Sequence, residues 1–437
     1  MLDLLVINAQ IHNKKELIQI GCSKGKIIEV SPKIQIDADA PIARQTLARK
    51  TIDAQGYFVT PPFIDSHFHL DTTLSLGLPR LNQSGTLLEG IKIWGELKPT
   101  LTHETVKARA KKLLNWSIAK GNLVIRSHVD TSDQSLMAVD VLLELRHEMK
   151  EFIDLQLVAF PQDGVLRSKN GMETLTSALD KGVDVVGGIP HFERTMADGQ
   201  ASVRLLCELA AKRGLMVDMH CDESDDPHSR YIESLTFETQ RLGLQGRVTG
   251  SHLTSMHSMD NYYVSKLFAL MAEAKMNCIC NPLVNMNIQG RHDTYPKRRG
   301  LMRVPELLDA GINVSLGHDD VMDPWYPMGT HDMLEVAHMG AHALHMTGVD
   351  QQAALFDAVT MNGAKTLNLE NYGLEPGCNA DMVILQASSK QEAIRLHPAR
   401  LFVIRKGKVI SRMEKAKAAV TLGAENVTVD FCPQASK

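Results

Sequence analysis

Eight short apolar runs, each breaking into polar residues, follow one another through the middle of the chain. They cover residues 63–71, 123–130, 155–163, 183–192, 215–223, 247–254, 276–285 and 312–320. Between them lie segments such as 105–119, 172–181, 201–213, 231–242, 262–274 and 304–310, several with apolar residues three and four apart, the spacing of one helix face. Strand-helix alternation repeated eight times predicts an α/β fold, a (β/α)8 TIM barrel. An open doubly wound sheet is the alternative, but polar residues of catalytic type stand at nearly every strand end, which favours closure. The flanks read differently. Residues 4–11, 18–20, 27–30, 381–385 and 402–410 look like short strands separated by turns, and predict a small β-sandwich built from both termini. The expected domains are 1–59 and 371–437 for the two parts of the β module, with 60–370 as the barrel.

A barrel of this kind places its active site at the C-terminal ends of the strands. Those ends carry His67 and His69; His128 and Asp130; Gln162 and Asp163; His191; His220, Asp222 and Glu223; His252; Asn281; and His318, Asp319 and Asp320. His67 and His69 are two apart in a strand, so their side chains share a face and stand about 7 Å apart. When the strand end bends, two such imidazoles can close on one ion. Alone, the pair is a short pattern that local hydrogen bonds would also satisfy. A rim crowded with imidazole and carboxylate is harder to explain as solvated surface. Neutral imidazoles and carboxylates suit a divalent first-row metal, and three histidines with one aspartate is a composition of hydrolytic sites.

Composition narrows the classes. The chain is 44% hydrophobic and 22% charged, ordinary values for a globular protein with a sizeable core. Forty-seven basic side chains against 51 acidic ones give a formal charge of −4, which argues against nucleic acid or an anionic membrane as partner. No stretch has the length of a membrane span, and the first residues lack a basic leader. Seven cysteines without a regular framework fit a reduced, cytoplasmic chain.

Longer motifs then sharpen the picture. Pro-Pro-Phe-Ile-Asp-Ser-His-Phe-His-Leu-Asp-Thr-Thr (61–73), Asn-Gln-Ser-Gly-Thr-Leu (82–87), Val-Ala-Phe-Pro-Gln (158–162) and Ile-Pro-His-Phe-Glu (189–193) occur in order. They are followed by His-Cys-Asp-Glu (220–223), Asn-Pro-Leu-Val-Asn (281–285), Gln-Gly-Arg-His-Asp-Thr-Tyr-Pro-Lys-Arg-Arg-Gly (289–300) and Gly-His-Asp-Asp-Val-Met-Asp-Pro-Trp-Tyr-Pro (317–327). With these motifs the chain resembles the amidohydrolase superfamily and, within it, the bacterial cytosine deaminase family over essentially its whole length.

The resemblance implies that His67, His69, His220 and Asp319 hold one divalent ion, Fe2+ or Zn2+. The bridging lysine that binuclear members place after strand four is absent here, where Ile189-Pro190-His191-Phe192 stand. It implies catalytic roles for Glu223, His252 and Asp319, and substrate contacts from Gln162, Asp320 and Trp325. The implied reaction is hydrolytic deamination of a free nucleobase, cytosine and water giving uracil and ammonia, with metal-activated water attacking ring C4. The same chemistry on 5-methylcytosine, isoguanine, isocytosine or a creatinine-like ring is the alternative. Asp65-Ser66 before the first histidine, Ser224 after Glu223 and Leu253 after His252 depart from the cytosine deaminase pattern and leave the preferred base open. A non-catalytic scaffold on the same fold is remote, because such proteins lose ligands that this chain keeps. The family also implies a homo-oligomer.

Other features have plainer explanations. His331, His338, His342 and His345 are spaced as one helical face, which reads better as a helix on the barrel than as a second metal stripe. Lys297-Arg298-Arg299 reads as an ion-paired loop, Cys221 as a packed thiol, and Cys278-x-Cys280 lacks the surroundings of the other zinc deaminase fold. His128, Asp130 and His191 divide evenly between orienting and purely structural roles, and stay outside the expected site.

Overall fold

The computed structural model of the chain describes residues 1–34 and 47–432. The amino-terminal strands are β1 (Leu2–Ala9), β2 (Ile18–Ser23), β3 (Lys26–Ser31), β4 (Ala48–Asp53) and β5 (Phe58–Thr60). The eight middle strands are β6 (Phe63–Phe68), β7 (Asn122–Asp130), β8 (Asp154–Phe160), β9 (Val185–Gly188), β10 (Met216–Cys221), β11 (Val248–His252), β12 (Asn277–Cys280) and β13 (Asn313–Leu316). Each lies inside or within a residue or so of an apolar run read from the sequence. They form one parallel sheet in chain order, with helices such as His103–Ala119, Met196–Arg213, Tyr231–Arg241 and Asn261–Glu273 between them. This is the expected (β/α)8 barrel.

Closure at the seam is sparse. The first and last barrel strands are joined by a lone parallel bridge, Phe68 to Asp319. The His67 carbonyl accepts the Asp319 N–H at 2.8 Å, and the His69 N–H donates to the Asp319 carbonyl at 3.1 Å. Strand β13 comes so close here that a Cβ on Gly317 would lie 2.7 Å from His67 Cβ. The seam therefore requires glycine at 317, and these backbone bonds bring the His-x-His pair beside Asp319.

The remaining strands are β14 (Met382–Leu385), β15 (Arg400–Arg405), β16 (Lys408–Arg412), β17 (Lys417–Leu422) and β18 (Glu425–Asp430). One four-stranded sheet runs β3-β2-β1-β4, and a second runs β16-β15-β14-β5, so a strand from the amino-terminal flank completes the carboxy-terminal sheet. Leu4, Val6, Ile20 and Ile52 of the first share a buried cluster with Val59, Met382, Ile384 and Ile404 of the second. The β-sandwich does draw on both flanks. No helix among the described residues is long and apolar enough to cross a membrane.

Candidate active site

The expected site residues other than His67 line one cavity at the carboxyl rim of the barrel. Its walls are His69, Gln162, His220, Glu223, His252, Asp319, Asp320 and Trp325, with apolar Leu87, Ile189 and Ile288. His67 is fully buried, its ring 4.5 Å from that of His220.

Local structure explains how each group is aimed. Asp222 has a positive φ of 53° and His252 one of 71°, left-handed values that ordinary residues hold only when their surroundings enforce them. For Asp222 the enforcement is visible: its carboxylate accepts the N–H groups of Tyr231 and Ile232, each at 2.9 Å, capping the next helix. That turn swings Glu223 into the cavity. Phe160 stacks on the His220 ring at 3.9 Å between centroids and fixes its plane. Asn281 and Asn285, a helix turn apart, aim their amides at His252 Nδ1 at 3.3 and 3.2 Å, and Asn285 also donates to Glu223 Oε1 at 3.1 Å. His252 Nδ1 also lies 3.1 Å from Glu223 Oε1 and 3.7 Å from Asp319 Oδ2, while its Nε2 is buried without a hydrogen bond.

The donor atoms fit one divalent ion. His69 Nε2 and His220 Nε2 are 3.0 Å apart, and His67 Nε2 and His69 Nε2 each lie 3.4 Å from Asp319 Oδ1. Donors bound at about 2.0–2.2 Å in a tetrahedron stand about 3.3–3.6 Å from one another. His67 Nε2 is buried with no hydrogen-bond partner. The ligand atoms of His67, His220, His252 and Asp319 also lie within 4.8 Å of one another, so His252 stands as near the cluster as the expected ligands do.

Charge points the same way. Burial, and then neighbouring imidazoles, drive His67 and His220 well below the ordinary histidine range, and burial takes His69 down to about 3. Such lowering favours the neutral imidazole, whose lone pair can bind a metal. Burial, then the nearby Glu223, Asp323 and Asp65 carboxylates, pushes Asp319 well above the usual carboxylate range; burial and Asp319 do the same to Asp320. A cation among them would relieve both. No lysine or arginine among the described residues pairs with Asp319, Asp320 or Glu223.

The groups left outside the expected site divide. His128 lies against it, its ring 4.1 Å from that of His67, with both nitrogens buried and unpartnered. Asp130 is structural, receiving Trp94 Nε1 at 2.8 Å and Lys98 Nζ at 3.0 Å. The histidine stripe dissolves: the helix spans Met333–Ala343, so His331 and His345 lie off it, and His331 is buried beside the barrel seam. Arg298 pairs with Asp293 at 2.7 Å, whereas Arg299 contacts the Ala343 carbonyl and His345 instead of an acid. Cys221 is a buried thiol. Asn285, whose only sequence signal was its place in the 281–285 motif, backs Glu223 and His252, and Leu87, Ile189 and Ile288 complete the cavity.

The chain belongs to the amidohydrolase family, whose profile matches residues 50–412. It is a hydrolase acting on C–N bonds. It is similar to 5-methylcytosine deaminase from Klebsiella pneumoniae in a structure liganded with 5-fluorocytosine, at 42% identity and a TM-score of 0.90, covering 94% of this chain and 98% of that one. It is 29% identical over 423 residues to N-isopropylammelide isopropyl amidohydrolase of Pseudomonas sp. (strain ADP), covering 94% of this chain and 98% of that one. It is 28% identical over 397 residues to pterin deaminase of Rhizobium rhizogenes (strain K84 / ATCC BAA-868), covering 90% and 89%.

Proposed function

We propose that the chain hydrolytically deaminates a free aminopyrimidine, converting cytosine to uracil and ammonia and 5-methylcytosine to thymine and ammonia. One observation carries this reading. Beside a cluster fit for a divalent ion, a buried glutamic acid, an amide and a buried aspartate face a cavity that Leu87, Ile189, Ile288 and Trp325 also border. His67, His69, His220 and Asp319 hold the ion, Fe2+ or Zn2+. When bound, it lowers the pKa of water so that hydroxide is present near neutral pH.

The chain's own residues do the rest. Asp319 accepts a proton from the attacking water. His252, neutral and held by Asn281 and Asn285, stands beside Glu223 and Asp319, where it hydrogen-bonds the oxygen that adds to ring C4. Glu223 donates a proton at ring N3, which makes C4 electrophilic. Gln162 offers an acceptor and a donor to N1–H and O2, and Asp320 receives the exocyclic amino group as it leaves. Trp325, Leu87 and Ile288 border the remaining C5 edge. The family resemblance further supplies a cytoplasmic homo-oligomer acting on a free base and not on nucleic acid.

5-Methylcytosine stands beside cytosine because of that apolar wall and the likeness to the Klebsiella deaminase. Ammonia release from cytosine, 5-methylcytosine and isoguanine tests the reading. Turnover of the first two is expected. Turnover of isoguanine alone, or of none, would contradict it.

Two further outcomes follow from single residues. A Cβ on Gly90 would lie 2.3 Å from Trp325 Cδ1 and 2.4 Å from its Nε1. Gly90→Ala should therefore push the indole toward the C5 edge and lower kcat/KM for 5-methylcytosine more than for cytosine. A methyl group in a pocket is worth about 1–3 kcal/mol, so a shift of roughly tenfold in the ratio is expected. An unchanged ratio would move the C5 edge to another wall.

The second outcome concerns pH. Burial raises the Glu223 carboxyl to about 8, against the opposing hydrogen bond from Asn285. A raised value means the acid form prevails below that pH, so a proton donor is available at neutrality and is lost above it. kcat/KM should fall as pH rises through about 8. A profile flat to pH 10 would remove Glu223 as the donor.

A further inference from the structure

One buried cluster has no part in these steps. Asp65, on β6 two residues before His67, is fully buried. Its Oδ1 accepts the N–H of His67 at 3.1 Å and also the N–H of His318, on the far side of the seam, at 3.1 Å. Its Oδ2 accepts from His331 Nε2 at 2.7 Å. The other nitrogen of that ring meets Ser117 Oγ, on the helix His103–Ala119, at 2.5 Å. A single carboxylate thus ties the first barrel strand to the last, and a histidine from the following loop ties both to a covering helix.

The position of this tie gives it meaning. Seven of the eight strand junctions are ladders of two or more paired residues, the β6–β7 one with register shifts at Phe63/Ile64 and Asp65/Phe68, while the seam has one isolated bridge. That weakest junction carries His67, His69 and Asp319. His331 is held with a φ of 60° and its ring 4.3 Å from that of Phe68, a conformation that persists only when its neighbours over-determine it. Metal sites tolerate displacements of only about 0.5 Å before donors lose their geometry.

We propose that Asp65 and His331 are a positioning pair that fastens the barrel seam at the metal ligands, so that breaking the pair loosens the ion before it unfolds the chain. The inference rests on reading His67, His69, His220 and Asp319 as ligands. It is tested by the rate at which zinc-loaded protein gives up its ion to a chelator, and by the visible absorption of the cobalt(II)-loaded form. Asp65→Ala and His331→Phe should release the ion about 10–100-fold faster and alter the cobalt spectrum, the range seen when partners of ligands are removed. Asp65→Asn should stay within about threefold of the parent, because the amide oxygen still accepts both N–H groups and its NH2 can donate to the other histidine tautomer. If Asp65→Ala does not fold, His331→Phe and Ser117→Ala carry the comparison. Folded variants with the parent's release rate and spectrum would overturn the positioning role. A parent chain that takes up no ion would instead overturn the ligand assignment.

Discussion

Replacing Glu223 with glutamine is expected to leave the bound ion in place and lower kcat by roughly 10²–10⁴-fold, the usual worth of a positioned general acid. The substitution keeps shape and the contact with Asn285, since an amide oxygen accepts as a carboxylate oxygen does. What it removes is the transferable proton. Glu223 is well suited to carry one: it is buried, paired with no lysine or arginine among the described residues, and raised to about 8. KM should change much less than kcat, because the ring would still find a hydrogen-bonding partner at N3. Steady-state kinetics with metal analysis on the same samples separates the cases. Loss of the ion along with the activity would mean that Glu223 supports the cluster and does not serve the reaction. Unchanged kcat would take the proton donor elsewhere.

Asp319→Ala should have the larger effect, more than about 10⁴-fold in kcat, because it removes a ligand and a base together. Its carboxylate is the shared point of the site, 3.4 Å from both His67 Nε2 and His69 Nε2 and 3.7 Å from His252 Nδ1. The backbone bonds to His67 and His69 do not involve the side chain, so the seam should close and the barrel should fold. Metal analysis should find much less than one ion per folded chain. A variant retaining the parent's metal content would show that the three histidines suffice, and would leave Asp319 only its role toward water.

Much of this architecture was legible before any coordinates. The apolar run at 276–285 contains β12, and the run at 312–320 contains β13, because a buried parallel strand must be apolar along its length and must stop where the rim begins. The same logic exposed the rim residues: histidine and carboxylate at the end of an apolar run have few reasons to be there. Contacts across the barrel left no such periodic trace. Arg126 is fully buried inside the barrel, paired with Asp218 at 2.8 Å, although it sits within an otherwise apolar run. A charge enclosed by strands looks in sequence like an interruption. His331 misled for the opposite reason: its spacing to His338 and His342 matched a helix that begins at Met333, and its partner Asp65 is 266 residues away. Gly90 gives no sign of its role until Trp325 lies against it.

Anomalous diffraction from crystals of the metal-loaded protein, collected at the absorption edge of the bound ion, tests the central claim most directly. The account predicts one strong peak per chain, within bonding distance of His67, His69, His220 and Asp319 and open to the cavity that holds Glu223. A peak lying away from those four donors, or no peak in a chain that still releases ammonia from cytosine, would contradict it.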